Sequence, residues 1–169
     1  MPVRAVVRYP DPRLKTECAP IGGHGPLTGA ARQLALDLLD TMDSFPGCVG
    51  IAAPQLGELV RMVAIDVTGH KRAVSCHGRL VLVDPVIVAR SGSIAMREGC
   101  LSIPDFTGNV HRAEFVTVQA RGMDGASLTL ECDAYEARVV LHELDHLEGL
   151  LFLDRVRKAS DVFPRKRYR

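Results

Sequence analysis

Leu141-His142-Glu143-Leu144-Asp145-His146-Leu147-Glu148-Gly149 is the stretch whose reading decides the fold. His142 and His146 are four residues apart, so on an α-helix both imidazoles share one face, about one turn apart. That spacing can grip one divalent metal from two sides, with Glu143 beside it as a candidate general base. Ala137, Val140, Leu141, Leu144, Leu147 and Leu151 recur at steps of three or four, and Val139 and Leu150 widen the stripe almost all the way round. A helix this apolar is predicted to be buried at the centre of its domain. Asp133 and Glu136 read as an acidic variant of the capping box that would open it, and Gly149 can end it. Two histidines and two acids inside such a helix are costly unless partnered. A core helix with incidental polar residues is the alternative, and an HExxH pattern alone is only moderately specific.

Working outward, Tyr9-Pro10-Asp11-Pro12 is turn chemistry, so residues 1–26 are predicted to begin as an extended or looped arm. From Leu27 to Met42 the apolar residues Ala31, Leu34, Ala35, Leu38, Leu39 and Met42 form one helical stripe, stopped by Ser44-Phe45-Pro46-Gly47. Arg61 to Val67 and Leu80 to Val88 are rich in β-branched residues and read as strands. Pro85 demotes the second to a sheet edge or splits it. Thr68 to Gly78 reads as a solvated surface loop, a reading favoured over the alternative that Cys76 and His77 there serve a metal. Arg97 to Pro104 interrupts the strand pattern. Phe115 to Arg121 alternates like a half-buried strand, Met123 to Ala126 is a hairpin turn, and Ser127 to Cys132 returns. One long helix, several antiparallel strands and one buried helix make an α+β fold, not an alternating βαβ one. The expectation is small antiparallel sheets packed around the central HExxH helix, with an N-terminal helix, in a single domain over 1–169 that ends in a basic tail of about 158–169.

The totals exclude several classes. Lys+Arg is 21 against 20 Asp+Glu, so no global field argues for DNA. No run of 18 apolar residues argues for a membrane span. Met1-Pro2-Val3-Arg4 lacks the apolar core of a signal peptide, and a cytoplasmic location is expected. The five cysteines include no CxxC pair, so they are expected to be mostly thiols, with one available to serve a metal.

Two histidines leave a divalent ion short of ligands. A zincin protease draws its third from downstream, but no histidine follows His146, and Glu148 faces another side of the helix. Upstream stands Cys100. A thiolate with two imidazoles leaves one position for solvent, which is the catalytic arrangement; structural sites are closed by four ligands.

At this point the chain resembles the peptide deformylase family. Cys48 to Gln55 matches a family form near GxGLAAPQ, Glu98 to Ser102 matches EGCLS without change, and Leu141 to Gly149 matches QHExDHLxG. The resemblance covers about residues 6–157. It implies that Cys100, His142 and His146 hold one divalent metal ion, often Fe²⁺ in the family, with Zn²⁺, Ni²⁺ or Co²⁺ able to take its place. It implies that Glu143 is the general acid and base, and that Gln55 and the Leu101 backbone N–H stabilise the developing oxyanion. Gly50, Ile51 and Tyr135 would border the substrate. The reaction implied is hydrolysis of the N-formyl group of nascent polypeptides, with release of formate. A divergent deformylase with another N-formyl substrate, a zincin-like metalloprotease, and a degenerate metal-binding homologue are the alternatives.

The resemblance departs at four places. Cys48 stands where most members have glycine. Leu141 replaces a glutamine. Ala134-Tyr135 replaces a usual Gly-Leu. Thr107 stands where many bacterial members carry an arginine that helps hold the peptide backbone, so weaker affinity for formyl-methionyl peptides is expected. The basic Arg165-Lys166-Arg167-Tyr168-Arg169 reads first as a frayed, solvated tail, with a weak contact for ribosomal RNA as the alternative.

Overall fold

The computed structural model describes residues 3–165. Among the described residues, two long helices, a third of a single turn and eight strands carry the architecture. In chain order these are α1 (Gly29–Ser44), β1 (Gly50–Ala52), β2 (Met62–Ile65), β3 (Leu80–Ser91), β4 (Ile94–Cys100), β5 (Ile103–Arg112), β6 (Phe115–Arg121), β7 (Ser127–Asp133), α2 (Ala134–Leu147), the short turn α3 (Phe152–Arg155) and β8 (Val162–Pro164). One sheet has the order β1-β2-β3-β6-β7, the other β4-β5-β8, and every strand pair is antiparallel.

The larger sheet is covered on both faces. Along β2 the two-residue period sends Val63 and Ile65 to one side and Met62 and Ala64 to the other. Val63 and Ile65 share a core with Val118, Leu130 and the α2 residues Val140, Leu141 and Leu144. Met62 and Ala64 share another with Leu34, Leu38 and Met42 of α1. Both faces being buried, β2 is an unbroken apolar run. A third core joins Cys100, Ile103 and Val110 of the smaller sheet to Leu14, Leu151 and Phe152. Helix α2 is buried along most of its length, including Glu143, Asp145 and His146. Gly149, at φ +72°, ends it, and a Cβ there would stand 2.9 Å from the Lys15 backbone.

Four sequence expectations need correction. Arg97 to Pro104 does not interrupt the strands. It is where β4 turns into β5 to build the second sheet, with pairing from Ile94↔Arg112 to Cys100↔Ile103. Pro85 does not mark an edge, because β3 is the middle strand of five. It sits in the register shift between Val83 and Val86, where a missing N–H breaks no ladder bond. The capping box is absent: the Asp133 side chain does not cap α2, and instead accepts from the Ser75 backbone N–H, while Glu136 accepts from Ser75 and His77. The 68–78 loop is therefore pinned by the start of α2. Finally, of the basic tail, Val162–Pro164 is a strand pairing with Phe106–Gly108, and Lys166 to Arg169 lie outside the described residues.

Candidate active site and metal centre

Helix α2 supplies two imidazoles and β4 ends in the thiol between them. Cys100, His142 and His146 each offer one ligand atom, and the three atoms lie within 4.8 Å of one another. Cys100 Sγ is 3.4 Å from His146 Nε2. His142 turns its Nδ1 to the Glu98 carboxylate at 2.8 Å, which orients the other ring nitrogen toward the thiol. Burial holds the His146 imidazole well below its ordinary pKa, in the neutral form a metal needs. Burial would lower His142 as well, but hydrogen bonds to Cys100 and Glu98 outweigh it and raise it well above the ordinary value. A positive charge is thus favoured among these groups even when it is only a proton.

Glu143 lies beside this set, 3.8 Å from His142 Nε2. It is 4% exposed, and its Oε2 has no hydrogen-bond partner among the described residues. Burial pushes its carboxyl up to about 7. Gly50 explains how it fits. A Cβ at position 50 would stand 2.9 Å from Glu143 Cγ and 3.1 Å from Oε1, so β1 can pass over the carboxylate only as glycine.

The Gln55 amide is held in one orientation. Its Oε1 accepts from the Ala52 backbone N–H at 2.9 Å, and its Nε2 donates to Ser102 Oγ at 3.1 Å and toward Cys100 Sγ at 3.5 Å. A buried N–H donor therefore faces the thiol. Leu101 follows at the turn between β4 and β5, and lines the same cleft as Gly50, Gln55 and Glu143. That cleft has a volume of about 720 Å³. Tyr135 also lines it and stacks on His70, ring centres 4.0 Å apart. Ile51 does not face it: its side chain is fully buried against the α1 core, on the opposite side of β1 from Gly50. Cys48 lines the cleft, but donates to the Gly50 carbonyl at 3.3 Å, and burial pushes its thiol up to about 12. It is not one of the three side chains whose ligand atoms converge.

Behind the imidazoles lies a buried charge network that the sequence reading left without a role. Glu98 accepts from Arg112 Nε at 2.6 Å and Arg138 Nη1 at 2.5 Å, besides His142. Arg112 donates onward to Asp145 at 2.8 Å, and Arg155 donates to Asp145 at 2.9 Å. Asp145 is one of the two acids the sequence marks as needing a partner, and Arg138 could have been noticed as another charge on the same apolar helix. Arg112 sits in an ordinary strand, and nothing local marks it.

On the other side of the cleft, Arg165 follows β8 and is tied by its backbone N–H to the Asp105 carbonyl at 2.8 Å. Its guanidinium covers Gly99, where a Cβ would collide with Nη2 and stand 3.5 Å from Thr107. No carboxylate among the described residues lies within ion-pair distance of it.

Comparison with known proteins shows the family. The family model described as polypeptide deformylase matches residues 3–162. A peptide deformylase from Thermomicrobium roseum is 40% identical over 163 residues, covering 96% of this chain and 90% of its own. One from Syntrophobacter fumaroxidans is 36% identical over 167 residues, covering 98% and 94%. The solved class I type b peptide deformylase from Acinetobacter baumannii covers 92% of this chain and 100% of its own, with a TM-score of 0.85 and 33% identity. Its Met-Ala-Ser-bound form covers 92% and 99%, with a TM-score of 0.83 and 32% identity. This chain therefore belongs to the polypeptide deformylase family, metal-dependent hydrolases that remove the N-formyl group from nascent polypeptides.

Proposed function

We propose that Cys100, His142 and His146 hold one divalent transition-metal ion, that Glu143 moves the proton, and that Gln55 and the Leu101 N–H bind the oxyanion. The observation that carries this reading is the convergence of one thiol and two imidazoles within 4.8 Å, next to a buried carboxylate. The donor set fits such an ion, since sulfur and imidazole suit Fe²⁺, Zn²⁺, Ni²⁺ or Co²⁺ better than a hard cation. Fe²⁺ is the native ion in this reading. When bound, the ion supplies Lewis-acid chemistry, lowering the pKa of water toward ~7 and drawing charge from a carbonyl oxygen.

The chain's own residues do the rest. Glu143 accepts a proton from the attacking water as oxygen adds to the formyl carbon. Negative charge grows on the formyl oxygen, where the Gln55 Nε2–H and the Leu101 N–H donate hydrogen bonds. Glu143 then gives its proton to the departing nitrogen, the C–N bond breaks, and formate and a free N-terminal amine leave. Gly50, with its backbone over Glu143, and Tyr135, with His70 behind it, flank the peptide's first side chain; Ile51 takes part only through its backbone. The Met-Ala-Ser seen on the Acinetobacter relative supports a peptide in this cleft. Formate release from formyl-Met-Ala-Ser, with no cleavage of casein, and metal analysis of anaerobically purified protein test the reading. Casein cleavage without formate would sink it.

Replacing Gln55 by Ala should lower kcat by about 10²–10³-fold, the usual worth of one oxyanion donor, with KM little changed. Equal kcat in Gln55→Ala would remove the amide from the mechanism. Arg165 lies beside Thr107 with no acidic partner among the described residues, and supplies a cation on that side of the cleft for a peptide carbonyl. Arg165→Ala should raise KM for formyl-Met-Ala-Ser about tenfold at unchanged kcat, with Arg165→Lys in between. An unaltered KM would show that the guanidinium only packs on Gly99.

A cytoplasmic location belongs to the same proposal, since all five cysteines are free and one is asked to hold a metal. No helix among the described residues is long and apolar enough to cross a membrane. A weak ribosomal contact rests on the charge of residues 165–169 alone.

A further inference from the structure

A second group of metal-ligating side chains lies outside this cleft. His77 from the loop before β3, Cys132 from β7 and Glu136 from the first turn of α2 each offer one ligand atom, and these atoms lie within 4.8 Å of one another. We propose that His77, Cys132 and Glu136 form a second binding site for a transition-metal ion of the Zn²⁺ class.

The donor types suit that ion. A thiolate, an imidazole and a carboxylate are the three side chains Zn²⁺ takes, and solvent or Ser75 Oγ can complete a tetrahedron. Ser75 Oγ already lies 2.7 Å from Glu136 Oε1. The carboxylate is fixed in place: the His77 backbone N–H donates to Oε2 at 2.8 Å, leaving Oε1 facing the His77 ring at 2.7 Å. Between that ring and that oxygen there is now one proton. An ion with bonds of about 2.0–2.1 Å would need the two atoms to part to about 3.3 Å. His77 can make that small move, because its side chain is 32% exposed on a loop. The same exposure gives an ion its way in.

Cys132 and Glu136 are 3% and 2% exposed. Burial pushes the Cys132 thiol up strongly, and the Glu136 carboxylate beside it pushes further the same way. A divalent cation is what would let both acids ionise together, so metal uptake would release the thiol proton to solvent. Occupancy would clamp the 68–78 loop, which carries His70 against Tyr135 at the rim of the cleft.

Zinc stoichiometry tests this. Every form carries Cys76→Ser, so that the exposed thiol beside His77 contributes nothing. Chelator-stripped protein dialysed against Zn²⁺ should hold two equivalents per chain. His77→Ala and Cys132→Ala should each hold one, with formate release within about twofold of the parent. Cys100→Ser should also hold one, with formate release lost. With Co²⁺, sulfur-to-metal absorption should fall by about half in Cys132→Ala. One equivalent in the parent chain, or two retained in either variant, overturns the proposal. Should the buried Cys132→Ala fail to fold, His77→Ala decides alone.

Discussion

Glu143→Gln should lower kcat for formate release by about 10²–10⁴-fold, the range for losing a positioned general acid and base. Metal content should stay that of the parent. The amide has the carboxylate's shape, so it fits under Gly50 as Glu143 does, but it cannot accept the proton of the attacking water or return it to the leaving nitrogen. The local environment favours the role. Burial raises the carboxyl to about 7, close to where a group both takes and gives a proton readily. Its free Oε2 has no competing donor among the described residues. Stopped assays of formate with atomic emission for metal would read both quantities. A kcat within about threefold of the parent would end the case for Glu143 as base.

The largest effect on stability is expected at Arg112. Its guanidinium is 7% exposed and bridges Glu98 and Asp145. Arg112→Ala leaves both carboxylates buried without their shared partner, a loss of about 3–5 kcal/mol for a broken buried pair. Urea unfolding of the metal-free protein would measure it, and a loss under about 1 kcal/mol would mean that Arg138 and Arg155 suffice. The same network sets a response to acid. Burial alone would raise the Glu98 carboxyl, but hydrogen bonds from His142 and Arg112 outweigh it and hold it well below the usual range. A carboxyl depressed in the folded state stabilises above its unfolded pKa, and that contribution fades as pH falls below about 4.5. Glu98→Gln should therefore flatten the loss of stability with acid.

What the sequence made legible was local. His142, Glu143 and His146 are one helical turn, and their relation follows from spacing alone. The apolar stripe of α1 and the alternation of β6 and β7 read in the same way. Cys100 is 42 residues from His142, so only the resemblance joined them before the fold did. The β4–β5 hairpin escaped because Gly99, Pro104 and Gly108 break its alternation and Arg97, Glu98 and Thr107 face the cleft. Asp133 and Glu136 looked like a cap because capping is a local pattern; their partners, Ser75 and His77, lie about 60 residues upstream. Ile51 was placed at the substrate by its neighbours in sequence. A strand sends successive side chains to opposite faces, so Gly50 meets the cleft and Ile51 the core.

Glu98 and Cys100 sit two places apart, both buried and both lining the cleft, so one short stretch delivers both the sulfur and the carboxylate that steers His142. A single residue inserted or deleted between Glu98 and Cys100 would turn Glu98 away while leaving the sulfur attached to the same turn. Glu98 to Cys100 is therefore one indivisible piece of the site, whose internal spacing cannot change without parting the sulfur from the carboxylate that serves it.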